Sequence, residues 1–191
     1  MPEPMIRGHV IIHTASFLRT QSDHSRSQAI ESELSAPVRS ALEHLAPAKW
    51  YPRQFQVELL NALAAVRGHG DATYGELMRC GAGMVAVDNE FFRLLMKVLT
   101  PELFIKKLAK FWQRDHRHSG SFELKSLEGG GVGGRLQMRD VAGYDHAAIL
   151  WLGWLKRMLE VISGRHSEVR QSGWSWSNPA PSEIIYEVKW A

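Results

Sequence analysis

A chain of 191 residues with 45% hydrophobic content is enough for one domain with a substantial core. The formal net charge of +3 is a mild basic bias, well short of the clustered positive charge of a dedicated nucleic-acid binder. A single cysteine, Cys80, excludes an internal disulfide framework and fits a cytoplasmic location. The first ten residues lack a signal-type apolar core, and no apolar run reaches the ~20 residues of a membrane span.

Along the chain, Val10 to Leu18 opens on the β-branched run Val10, Ile11, Ile12, which favours a strand, and the polar run Arg19 to Ser27 reads as a loop or an exposed turn. Ile30, Leu34, Val38, Leu42 and Leu45 keep helical spacing, with Pro37 dividing them into two short helices. Ala46 to Pro52 is a break. Phe55, Leu59, Leu60, Leu63 and Val66 mark the next helix, ending near Gly68. Tyr74 to Val87 is helical, and its glycines Gly75, Gly81 and Gly83 either weaken the helix or permit close helix contact. Asp88 to Leu99 continues as helix. Thr100, Pro101 and Glu102 supply an N-cap, a first-position proline and a first-turn acid for a helix running to about Asp115.

Beyond Gly120 the period changes to two. Phe122 to Leu127 and Arg135 to Arg139 form a hairpin around a glycine loop. A long aromatic helix follows from the N-cap Asp145 to Ile162, with Gly164 as its stop, and then strands at about Ser167 to Gly173 and Glu183 to Trp190. The predicted fold is therefore α+β: N-terminal helices packed with an antiparallel sheet built from two C-terminal hairpins flanking a long helix, all within a single domain over residues 1–191.

No catalytic constellation emerges. Gly129, Gly131 and Gly134 meet the dinucleotide-binding spacing but join two strands, so they read as a hairpin loop. Asp115, His116, Arg117 and His118 read as a helix end whose cations complement the dipole, and His9 and His13 as strand residues on one face. Lys106, Lys110, Arg114 and Arg117 form the solvated stripe of an amphipathic helix, opposite Phe104, Leu108, Phe111 and Trp112. His146 reads as a surface or satisfied core histidine, and Cys80 as a small residue packed beside glycines. Phe92, Met96, Trp112, Trp151, Trp154 and Met158 are the soft and aromatic side chains that suit the wall of an apolar pocket, with plain core as the alternative.

In order, Trp50-Tyr51-Pro52, Thr100-Pro101-Glu102 with Phe111-Trp112, Gly153-Trp154 with Leu159-Glu160, and Tyr186 to Trp190 resemble a paralogous family of myxobacterial type. Its architecture is similar to the heme-nitric-oxide-binding and 4-vinyl-reductase domains. The resemblance implies helices packed on an antiparallel sheet that hold a small apolar ligand or make protein contacts. It also implies where this chain departs. Trp174, Trp176, Ile184 and Ile185 occupy the stretch where vinyl-reductase-type sensors carry cysteines, so zinc is not expected. The Tyr-x-Ser-x-Arg pattern of the heme-binding relatives is absent, so heme is not expected either. The resulting expectation is a non-enzymatic cytoplasmic sensor or binding domain for a small hydrophobic molecule, with no cofactor, no metal and no nucleic-acid partner, and forming a homodimer. The alternative is a dimerising interaction scaffold without a ligand.

Overall fold

The computed structural model describes residues 2–21, 24–86, 98–128, 132–141, 143–144, 146–178 and 181–190. The predicted helix over Asp88 to Leu99, with Phe92 and Met96, falls almost entirely outside these residues, as does the N-cap assigned to Asp145.

The chain begins with a short strand, β1 (Met5–Arg7), which leads directly into helix α1 (Gly8–Gln21). Here the predicted strand is corrected. Val10, Ile11, Ala15 and Leu18 are all buried, a spacing that fits one face of a helix, and tertiary packing on that face overrides the β preference of Val10 to Ile12. The two short helices divided at Pro37 are α2 (His24–Glu33) and α3 (Ala36–Leu42), with Pro37 inside the first turn of α3 and Ser35 extended at its N-cap.

The break after Ala46 contains a strand that the sequence reading did not place, β2 (Trp50–Pro52). It pairs antiparallel with β1. Helix α4 (Gln54–Arg67) ends at Gly68, whose φ of 81° only glycine adopts readily. Helix α5 (Asp71–Ala86) and helix α6 (Pro101–Asp115) follow, the latter with the Thr100 hydroxyl accepting from the Leu103 amide at 3.2 Å. Its buried residues Phe104, Ile105, Leu108 and Trp112 lie opposite exposed Lys106, Lys110 and Arg114. The lysine stripe is thus a solvated face.

Strand β3 (His116–Arg117) returns to pair with the other edge of β1, completing a small sheet of order β2-β1-β3. Strands β4 (Ser121–Leu127), β5 (Gly133–Arg139), β6 (Ser167–Ser172) and β7 (Glu183–Trp190) form an antiparallel sheet of order β4-β5-β7-β6. Along β7, Ile184, Tyr186, Val188 and Trp190 point inward and alternate with exposed Glu183, Glu187 and Lys189, the period-two pattern of a strand with one wet face.

Helix α7 (Ala147–Ser163) lies against this inner face, and the Tyr186 hydroxyl donates to its Ala148 carbonyl at 2.9 Å. Ala147 to Gly153 are buried without interruption because α5 covers the side of α7 away from the sheet. No described helix is long and apolar enough to cross a membrane.

Candidate ligand cleft

Two glycines set the spacing that builds the site. A Cβ on Gly81 of α5 would overlap the Leu150 carbonyl oxygen, and one on Gly153 of α7 would overlap the Met78 carbonyl oxygen, so the two backbones touch at both points. This contact fixes α7 along α5 and directs Trp151 and Trp154 toward α6.

The apolar stripe of α6 ends at Trp112, whose indole N–H donates to the Gly120 carbonyl at 3.1 Å. Immediately after Asp115 the backbone becomes extended to join β1, and this turn swings His116 inward over Trp112. The two rings stack with centroids 3.7 Å apart and planes 3° apart. Trp151 meets both edge-on at 5.1 Å, and Trp154 stands edge-on to Trp151 at 5.5 Å.

These rings form the floor of a cleft whose opposite wall comes from α1, through His9, Val10 and His13, with Met84, Leu108 and Phe111 closing its sides. It holds about 30 Å³, room for roughly two waters, and opens to solvent. Its rim is polar. Arg114 pairs with Asp115 at 2.6 Å, and His9 Nε2 lies 3.6 Å from the same carboxylate. Burial pushes the Asp115 carboxyl up, but the hydrogen bonds and charges of His9 and Arg114 outweigh it and hold the group below its usual value. His13 is shifted down by burial and by neighbouring His9, which favours a neutral imidazole.

Behind the floor runs a buried polar chain. His116 Nδ1 donates to the Trp112 carbonyl at 3.1 Å, and Nε2 lies 3.3 Å from the Tyr144 oxygen. The Tyr144 hydroxyl reaches Gln56 Oε1 at 2.7 Å. Gln56 Nε2 donates to Thr14 at 3.1 Å, and Thr14 donates to the Val10 carbonyl at 3.0 Å. Tyr144 has one proton to share between His116 Nε2 and Gln56, so the neutral imidazole and the amide compete for it. Burial drives the His116 pKa down to about 3, against the opposing pull of Asp115 and the Trp112 carbonyl, and burial likewise raises Tyr144 well above its ordinary value, partly offset by Arg53.

Of the residues proposed from sequence, Trp112, Trp151 and Trp154 come together here, whereas Met158 is fully buried and does not line the cleft. His116, expected as a cation that complements a helix dipole, is 5% exposed, held neutral by burial and part of the floor, which corrects that reading. His9 and His13 face each other one helical turn apart on α1 with ring centroids at 6.3 Å, rather than along a strand. His146 is a satisfied core histidine, its Nδ1 2.8 Å from Asn61 Oδ1. Gly134 continues β5 with no helix behind it. Cys80 is buried beside Gly81, and burial raises its thiol to about 12, far from a reactive thiolate.

No protein-family model matches this sequence, and no curated protein matches it. Solved structures do match. An Fe(II) unliganded H-NOX protein from K. algicida superposes with a TM-score of 0.71 at 10% identity, covering 96% of this chain and 96% of that one. The chain has an H-NOX-like fold. An oxygen-binding H-NOX domain related to soluble guanylate cyclases gives 0.64 at 10% identity over 96% and 94%, and a mutant of the T. Tengcongensis H-NOX gives 0.65 at 10% over 96% and 97%. The similarity to heme-nitric-oxide-binding domains therefore holds for the architecture across nearly the whole chain.

Proposed function

We propose that this chain is a non-enzymatic, cytoplasmic binding domain of the sensor kind that takes a small hydrophobic molecule between α1 and the Trp112, Trp151 and Trp154 wall. The observation that supports this reading most is an indole-lined floor that reaches solvent instead of closing into core. Trp154 is the partly exposed member of the three, so a ligand larger than the resting space enters by displacing its ring. Among the described residues the cleft presents histidines with no serine, threonine or cysteine in its lining, and the one thiol is buried and protonated. Among the described residues most tryptophans and phenylalanines go to this cleft and the core, and the large apolar side chains that are exposed are the scattered Val98, Leu103, Val132 and Val161. That distribution favours ligand binding over the paired-copy scaffold.

Trp154→Ala should cost less than the ~3–5 kcal/mol of a fully packed aromatic, because part of its surface already faces the cleft. Its affinity for a fluorescent apolar probe should fall at least about tenfold, a change worth ~1.4 kcal/mol. Thermal melts and probe titration of parent and variant make the comparison. A parent that binds no probe, with a variant that loses the full packing cost, would assign Trp154 to the core and remove the reading.

The neighbours include an oxygen-binding domain and an Fe(II) form, so heme is the group this fold raises. The described residues do not fit it. A cofactor of that size needs roughly 300 Å³ or more, whereas the space beside His116 is about 30 Å³ and two of the three indoles that bound it, Trp112 and Trp151, are buried, so displacing Trp154 alone does not open room for it. Both His116 nitrogens already face partners inside the protein, and residues 87–97 contain no histidine, cysteine or tyrosine, which leaves only His13 in the cleft and the thioether of Met96 as axial candidates. Among the described residues no three His, Cys, Asp or Glu side chains converge on a metal position. Titrating hemin into the purified protein should give no Soret band of a coordinated heme. Saturable one-to-one uptake with such a band would overturn this fit argument.

A further inference from the structure

The rim of the cleft carries more information about its ligand than the floor does. The one carboxylate that the described residues place there, Asp115, is already engaged by Arg114 and His9. His13, on the next turn of α1, also lines the cleft and has no carboxylate partner among the described residues. The groups facing it are His9 on its own helix, Arg114 and Asp115 from α6, and His116 from β3, with Arg53 beyond His116; α5 and α7 present the uncharged Met84, Trp151 and Trp154. Among the described residues the rim is therefore rich in donors and potential cations, and the only acid they place there is committed. An amine arriving here would compete with Arg114 for Asp115, and a neutral molecule would leave the His13 ring without a charge-assisted bond.

We propose that the cleft takes a small apolar carboxylate, with its ring or short chain against Trp151 and Trp154 and its carboxylate at His13, alongside His9 and Arg114. This rests on the binding reading above and names the ligand class for the same site. The free cleft keeps His13 neutral through burial and through His9. An anion beside it favours the imidazolium, so binding draws one proton from solution onto His13. The empty site is thereby spared a half-buried unpaired cation, and the bound one gains a hydrogen-bonded ion pair beside the indoles.

Phenylacetate, phenylacetamide and phenethylamine share one ring and differ in head group, which makes them suitable probes. Calorimetric titration of the full chain near pH 6, pH 7 and pH 8.5 should rank phenylacetate at least about tenfold tighter than the amide at the lower values, the factor one charge-assisted hydrogen bond supplies. The advantage should shrink at the highest pH. Repeating the titrations in buffers of different ionisation enthalpy should show proton uptake with phenylacetate and none with the amide. His13→Gln should abolish that uptake and remove the preference, so that the variant binds phenylacetate and phenylacetamide with equal affinity. The ranking and proton count on the parent decide the matter even if the variant folds poorly. An amide that binds as tightly as the acid, a preference for the amine, or acid binding without proton uptake overturns the carboxylate assignment and leaves the apolar cleft standing. Failure of all three to bind overturns the cleft itself.

Discussion

Gly153→Ala and Gly81→Ala should each destabilise the protein by about 3 kcal/mol or more, at or beyond the upper end of ordinary overpacking. The reason lies in what the added methyl meets. At Gly153 it overlaps the Met78 carbonyl oxygen and comes within 2.8 Å of the Met78 Cα; at Gly81 it overlaps the Leu150 carbonyl oxygen and lies 2.9 Å from the Trp154 amide nitrogen. These are backbone atoms, so no rotamer change relieves the overlap and the two helices must separate. Separation opens the space between α5 and the sheet that α7 fills, and it moves Trp151 and Trp154 off the cleft floor. With a loss of melting temperature near 2–4 °C per kcal/mol for a chain of this size, a drop on the order of 10 °C is expected. Gly75→Ala is the internal control on the same helix. Its Cβ would meet only the flexible end of Arg79, at 3.6 Å, so the change should raise stability by roughly 0.5–1 kcal/mol through helix propensity. Urea and thermal melts of the three variants should therefore split in sign. A Gly153→Ala variant that melts with the parent would mean that the helices do not touch as described.

The elements that were legible in the sequence are those whose packing leaves a long periodic trace. Helix α6 announced itself through Thr100, Pro101 and the spacing of Phe104, Leu108 and Trp112, and β7 through the alternation of Ile184, Tyr186 and Val188. The small sheet left no such trace, because strands of two or three residues are too short to alternate and are held by pairing between positions 5, 52 and 117. Helix α1 was obscured by three consecutive β-branched or aliphatic residues, although Ile11, Ala15 and Leu18 already carried the helical spacing.

The site divides in the same way. Trp151 and Trp154 stand three apart on one helix, and their shared side was readable; the glycines of α5 also hinted at a close helix contact. His116 was hidden because the buried polar chain that holds it runs through Trp112 and Tyr144 to Gln56 and Thr14, positions that only folding brings together. A sequence signal did exist in Thr14 and Gln56, polar residues set on the buried faces of otherwise apolar helices. Such residues need a partner inside, but nothing in the sequence specifies which one.

Acid should unfold this protein through His116 well before its carboxylates titrate. The unfolded chain binds a proton on this residue near the ordinary 6.5, while the folded chain binds one only near 3. Between those values the unfolded state holds more protons, so the stability from keeping the ring neutral is fully present above about 6.5 and declines by up to ~1.4 kcal/mol for each unit of pH below it. His13, also shifted down, acts in the same direction. Asp115, a carboxylate held below its usual value, adds its loss only as the pH falls through the acid range beneath that value. Urea midpoints taken from about pH 7 to pH 4 should therefore fall steeply, by an amount corresponding to on the order of 3 kcal/mol. His116→Phe retains a ring over Trp112 but removes the titration. It should be less stable than the parent at neutral pH by about 1–3 kcal/mol, because the Trp112 carbonyl loses a donor and Tyr144 a partner, and it should show a much flatter dependence on pH. A parent whose midpoint stays level between pH 7 and pH 5 would show that the imidazole is not held neutral inside the fold. Because the same ring forms part of the cleft floor, probe binding should be lost along the same acid limb as the fold.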